Sequence, residues 1–170
     1  MSDVRNVLFL CTGNSARSIL AEALLDRLGE GRFRGFSAGS QPKGEVHPGA
    51  IELLQRKGWD VSGFRSKSWD EFARPGAPAI DYVITVCDNA AAEACPVWPG
   101  RPVAGHWGIA DPAAVNGSPG EVAEAFEQAF ARLNRRIETF LRLPLDQLKP
   151  AAVRDSLYEI GETADQPAEA

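Results

Sequence analysis

The sequence predicts an α/β fold built on a parallel sheet, and three observations predict it. Short apolar, β-rich runs at Val7–Leu10, Phe33–Ala38 and Ile80–Val86 alternate with segments whose apolar residues recur at helical spacing. The intervals between these runs leave room for crossover helices, so the strands are expected to run parallel with helices on both faces. Two of the runs end on a cysteine, Cys11 and Cys87, which suggests that their carboxyl ends open onto one edge of the sheet.

Taken in order, the first strand stops at Cys11, a polar loop holding Gly13 follows, and from Arg17 a helix is expected on Leu20, Leu24 and Leu28. Gly29 and Gly31 supply the turn into the second strand, which closes on Ser37-Ala38-Gly39. His47-Pro48 opens a second helix through Lys57, with Pro48 at the first helical position, Gly58 as the stop, and Ile51, Leu53 and Leu54 as its apolar face. Trp69–Phe72 fits a single helical turn before the Pro75-Gly76-Ala77-Pro78 break. After the strand Ile80–Val86, the stretch Cys87–Cys95 reads as helical, and Arg101–Trp107 holds a short last strand. Ser118-Pro119-Gly120-Glu121 is a capping box, and the helix it starts runs to about Arg142 with Val122, Phe126, Phe130, Leu133, Ile137 and Leu141 on one stripe.

At 170 residues and 44% apolar the chain is long enough for one good core, read as a catalytic domain over 1–142 and a C-terminal extension over 143–170. In the extension, Leu145, Leu148, Val153, Leu157 and Ile160 outline a short amphipathic helix, and the polar residues from Gly161 onward are expected to be disordered. The net charge is −5, but residues 143–170 carry six acidic and two basic side chains, so the preceding body stands near −1. Such a body neither repels an anionic substrate nor offers a basic surface to nucleic acid. No apolar run reaches membrane-spanning length and Met1–Arg5 leads directly into a strand, so a cytoplasmic protein is expected, without a membrane partner. Three cysteines in a reducing compartment point to chemistry or burial rather than to a disulfide framework.

The chemistry centres on Cys11-Thr12-Gly13-Asn14-Ser15-Ala16-Arg17-Ser18. A loop closing onto a helix N-terminus aims several backbone N–H groups and the positive end of a dipole at one point, which suits a tetrahedral oxyanion. Residues 12–16 would form that cradle, and Arg17 would add a planar fork. A thiol in the same field gives up its proton readily, because the field favours the thiolate, and Ser18 is placed to donate a hydrogen bond to it. No Gly-Lys-Ser/Thr follows, so the loop is not a nucleotide-binding one. Asp111, ahead of Pro112, is a candidate general acid for a leaving oxygen; an aspartate there also suits capping a turn. His47 and His106 lack metal-ligand spacing and are read as structural, so no metal site is expected. Trp59, Trp69, Trp98 and Trp107 are read as core or rim residues.

The stretch Cys11–Ser18 resembles the signature loop of the low-molecular-weight protein tyrosine phosphatases and of the arsenate reductases built on the same fold. The resemblance covers about Val4 to Leu141 and implies a flavodoxin-like three-layer sandwich with four strands in order 2-1-3-4. It also places the Asp-Pro pair of His106–Pro112 as general acid, in a form similar to the reductases. Two features separate this chain from the phosphatase branch. No tyrosine follows Asp111-Pro112, and Ser40-Gln41-Pro42-Lys43 offers no aromatic wall for a phosphotyrosine ring. Cys87 and Cys95 are similar in kind to the two further cysteines of the thioredoxin-coupled reductases, though their Cys-x7-Cys spacing is one residue longer than the pattern of that type.

The resemblance therefore implies an arsenate reductase of arsenic detoxification, with aryl-phosphate hydrolysis through a Cys11 phosphoenzyme as the alternative. Arsenate would be the substrate, and phosphate or sulfate its mimics. It also implies a disulfide relay: Cys11 forms the thiol–arsenate adduct, a second cysteine attacks it, and a third passes the disulfide to an external donor. Here those would be Cys87 and Cys95. No bound cofactor is implied; thioredoxin would be the donor, with glutathione and glutaredoxin, or mycothiol, as alternatives. A non-catalytic binding module of the same fold would leave Cys11 and Arg17 without a purpose. Some reductases of this kind hold potassium behind the loop through residues matching Asn14, Glu22 and Ser37 plus an aspartate. The aspartate's place falls to Lys67 here, so a fixed ammonium in place of the ion is expected.

Overall fold

The computed structural model describes residues 4–86 and 102–163. The expected segment Cys87–Cys95, Trp98 and residues 164–170 lie outside the described residues, whereas Gly161–Thr163, expected to be disordered, continue the last helix. Four strands, β1 (Arg5–Cys11), β2 (Phe33–Gly39), β3 (Tyr82–Thr85) and β4 (Val103–His106), form one sheet in the order β2-β1-β3-β4, and every pairing is parallel. The register sets Cys11 opposite Gly39, Leu10 opposite Thr85, and Thr85 opposite His106, so the carboxyl ends of all four strands share one edge. That edge is where ligands bind in open parallel sheets.

Alternation along β1 divides the core. Val7 and Phe9 face a layer formed by α1 (Arg17–Leu28), α2 (Pro48–Arg56), α3 (Pro119–Leu141) and α4 (Pro150–Thr163). Leu8 and Leu10 face the opposite way and pack with Ala38, Val83, Ile80 and the 3-10 turn Trp69–Phe72. Each fully buried leucine or phenylalanine in these layers contributes about 1.5–3 kcal/mol of transfer free energy, so the central strand is the best anchored part of the chain.

The helix ends follow local chemistry. His47 Nδ1 accepts from Gly49 N at 2.9 Å and caps α2. Ser118 and Glu121 close both halves of the capping box on α3. Gly58 takes the left-handed conformation (φ +80°) just past α2, where a side chain would be strained. Three details depart from the expected faces. Ala50 rather than Ile51 is buried on α2; Phe140, not Leu141, is buried at the end of α3; and Arg136 lies fully buried on the same helix. Helical spacing alone does not separate adjacent positions at a stripe's margin, and an arginine breaks the apolar pattern it sits in.

The extension carries a 3-10 turn at Leu145–Gln147 and then α4, which packs against β4 and buries Val153, Leu157 and Ile160. Close packing there depends on two glycines. A Cβ at Gly105 would stand 2.7 Å from Leu157 Cβ, and one at Gly161 would stand 2.1 Å from His106 O.

Candidate active site

The loop between β1 and α1 wraps the Cys11 sulfur. Asn14 N donates to Cys11 Sγ at 3.2 Å, and the Ser18 hydroxyl lies 3.0 Å from it. Both groups hold the sulfur in place within the loop. Asn14 adopts the left-handed conformation (φ 45°), which asparagine tolerates better than most residues. Its side chain locks the turn from within: Nδ2 donates to Ser18 Oγ at 2.7 Å, and Oδ1 accepts from Lys67 N at 2.9 Å.

The carbonyls of the loop are held on its outer side. Thr12 O accepts from Gln41 N at 2.9 Å, Gly13 O from Lys43 N at 3.0 Å and Ser66 Oγ at 3.1 Å, and Ser15 O from His47 N at 2.9 Å. Carbonyls held outward leave peptide N–H edges turned toward the centre, as an anion cradle requires. At α1, Ala16 provides no side-chain cap and the first turn holds no acidic residue, whereas α2 and α3 are capped. The positive end of that helix is thus left to a ligand.

Gly39 makes the cradle sterically possible. A Cβ there would stand 2.5 Å from Thr12 O and 2.9 Å from Cys11 O. Sequence reasoning noted Gly39 only as a strand end; its requirement comes from the approach of β2 to the loop.

Arg17 and Asp111 meet at the mouth. Arg17 Nη1 donates to Ile109 O at 3.0 Å, and Nη2 lies 3.5 Å from Asp111 Oδ2. Asp111 Oδ1 accepts from Ala113 N at 2.9 Å, capping the short turn Pro112–Ala114. The two readings of Asp111 thus share one side chain, with one oxygen capping and the other facing the arginine. Cys11, Arg17 and Asp111 line one open cavity of about 410 Å³ with Gln41 and Lys43, and no aromatic side chain is among its described lining residues.

Behind the cradle, Lys67 Nζ donates to Ser37 O and Arg65 O, each at 2.9 Å, and lies 3.5 Å from Ser37 Oγ. Ser37 Oγ donates in turn to Glu22 Oε1 at 2.5 Å. Burial pushes the Glu22 carboxyl above the ordinary carboxylate range, while the Ser37 hydrogen bond and the Lys67 charge pull the other way. Burial likewise holds Lys67 below the usual lysine range, opposed by Glu22. The ammonium occupies the carbonyl and hydroxyl ligands that a cation behind the loop would need, so these residues do not fit a potassium ion. Among the described residues no group of three or more His, Cys, Asp or Glu side chains could hold a metal.

The remaining sequence candidates fall as follows. Thr85 Oγ1 and His106 Nδ1 are 2.6 Å apart at the strand ends, and His47 serves as a helix cap. Trp107 is fully buried and Trp69 nearly so, while Trp59 packs on Phe130 with Arg27 over its ring. Cys87 and Cys95 lie outside the described residues; Val86, just before them, donates its N–H to Leu10 O at 2.8 Å, next to Cys11.

Comparison with known proteins agrees with this geometry. Arsenate reductase of Halalkalibacterium halodurans is 34% identical over 134 residues, covering 79% of this chain and 93% of that protein. A solved arsenate reductase in its phosphate-binding state superposes with a TM-score of 0.61 at 29% identity, covering 81% of this chain and 97% of that one. A thioredoxin-dependent arsenate reductase of Corynebacterium glutamicum matches with a TM-score of 0.59 at 28% identity, over 86% of this chain and 65% of the other. The family model for low molecular weight phosphotyrosine protein phosphatase matches residues 6–153, and with a cysteine held in the oxyanion loop at the carboxyl edge of a 2-1-3-4 sheet, the chain belongs to that family.

Proposed function

We propose that this enzyme reduces arsenate to arsenite with Cys11 as nucleophile. The observation that carries the reading is the single constellation of sulfur, cradle, arginine and carboxylate in a cavity whose described lining residues include no aromatic side chain. A small inorganic oxyanion is held by N–H groups and a guanidinium alone, whereas an aryl phosphate also needs its ring covered.

The chemistry balances as two thiols for two electrons. The Cys11 thiolate attacks arsenic(V), a sulfur–arsenic bond forms, and an oxygen protonated by Asp111 leaves as water. A second thiolate, assigned to Cys87, attacks the Cys11 sulfur. The sulfur–arsenic bond breaks, its electron pair stays on arsenic as arsenite, and a Cys11–Cys87 disulfide remains. Cys95 then takes over Cys87 and frees Cys11, and an external dithiol reduces the Cys87–Cys95 bridge. Thioredoxin is the favoured donor, supported by the name of one structural relative. The setting is the cytoplasm, where such thiols stay reduced.

The test is arsenate-dependent NADPH oxidation with thioredoxin and thioredoxin reductase, run beside aryl-phosphate hydrolysis. Reduction is expected to dominate and to vanish in Cys11→Ser, whose hydroxyl stays protonated. Aryl-phosphate turnover without any arsenite would overturn the reading in favour of a phosphatase.

A further inference from the structure

The segment that joins β4 to the acid carries an unusual set of acceptors. Trp107, Gly108 and Ile109 present three successive carbonyls, and each accepts from a guanidinium. Arg136 Nη1 donates to Trp107 O at 2.7 Å and to Gly108 O at 3.3 Å, and Arg17 Nη1 donates to Ile109 O at 3.0 Å. Arg136 is fully buried in α3, where an ionised side chain is costly to place unless it is well bonded. From the other side, Trp107 Nε1 donates to Leu157 O in α4 at 2.9 Å, and the bare backbone of Gly161 sits against His106 O. The segment's own N–H groups extend the sheet, with Trp107 N bonded to Thr85 O at 2.7 Å and Ile109 N to Val86 O at 3.2 Å.

We propose that Arg136 and helix α4 are positioning elements of the active site: together they fix Trp107–Asp111 so that Ile109 O steers Arg17 and Asp111 faces the cradle. The inference rests on the roles given above to Arg17 and Asp111. Its physical reason is the cost of slack. An unrestrained loop residue gives up conformational entropy on being ordered, and a proton donor misplaced by about 1 Å loses most of its effect. A buried guanidinium whose Nη1 is shared between two successive carbonyls, opposed by an indole tie to a docked helix, removes that slack before substrate arrives. The C-terminal extension thereby acquires a task in the chemistry as well as in covering β4.

Arg136→Met and Trp107→Phe each remove one tie while keeping most of the buried volume, and Arg136→Lys restores a cation able to reach one carbonyl. With all variants shown to be folded by circular dichroism, kcat for arsenite formation is expected to fall about tenfold in Arg136→Met and severalfold in Trp107→Phe. Arg136→Lys should recover part of the loss, and phosphate Kd should rise by no more than about threefold. Phe72→Leu, in the opposite core layer, should lower Tm and leave kcat unchanged.

The decisive readout is Asp111→Asn. If Arg136 acts through Asp111, Arg136→Met should cost less than about twofold in that background. The same fold-loss in both backgrounds, or no loss in the single variants, would overturn the proposal. An Asp111→Asn enzyme as fast as wild type would overturn it through the acid assignment. A wild type that binds phosphate yet makes no arsenite would sink the reductase reading alone; the same cycle is then read on phenyl phosphate, whose leaving group also requires the acid.

Discussion

Lys67→Met isolates the fixed charge behind the cradle. The substitution keeps an unbranched stem but removes an ammonium that donates to Ser37 O and Arg65 O, both at 2.9 Å. Lys67 is half-buried, so these bonds are discounted for solvent, and their combined loss is about 2–3 kcal/mol. For a domain of this size that is a fall in Tm of about 5–10 °C. The pH dependence gives the sharper test. Glu22 is held above its ordinary range by burial, with Lys67 opposing the rise, so its contribution to stability is present at low pH and lost as pH climbs through the raised folded value. Without Lys67 the carboxyl moves higher still, and the loss grows over a wider window. The Tm gap between wild type and variant should therefore be smallest where Glu22 is protonated in both folded and unfolded chains, and should widen toward neutral pH. Thermal melts at pH 4 and pH 8, in potassium and in sodium at equal ionic strength, measure this. An equal gap at both pH values would refute the coupling of Lys67 to Glu22. A several-fold stimulation of the wild-type rate by potassium over sodium would refute the ammonium as a stand-in for an ion.

Other outcomes follow from the same geometry. Arg17→Lys should cost two orders of magnitude or so in kcat/KM for arsenate, because an ammonium supplies no planar fork for the anion while one of its donors is held by Ile109 O; steady-state kinetics decide it. Gly39→Ala should weaken phosphate binding more than about tenfold, since its Cβ would push on Thr12 O and Cys11 O; calorimetric titration with phosphate would show an unchanged Kd if the cradle can yield there. Peptide mapping after one turnover should find a Cys11–Cys87 disulfide accumulating in Cys95→Ser together with one arsenite per protein, and stalled arsenite release in Cys87→Ser. A Cys11–Cys95 disulfide in the wild type would reverse the assigned order.

What the sequence determined by itself is what is encoded within a few residues. The loop from Cys11 to Ser18 was legible because strand, loop and helix follow one another directly, and the same residues supply the sulfur, the groups bonded to it and the arginine. The capping box at Ser118 and Glu121, the proline-led starts of α2 and α3, and the alternation in β1 are legible for the same reason: their hydrogen bonds and burial repeat at short, fixed spacing. Lys67 behind the loop was accessible only through the family resemblance, because it reaches Ser37 across 30 residues. Other features had no local signal at all. Gly39 is required by a backbone that approaches it from Thr12, Arg136 by carbonyls that stand 28 and 29 residues away, and α4 by an indole 50 residues before Leu157. These partners are brought together by the winding of the chain around the sheet, and no spacing in the sequence records the distance between them. The Cys11 loop was written locally; the setting of the segment from Trp107 to Asp111 was decided only when α3 and α4 closed on it.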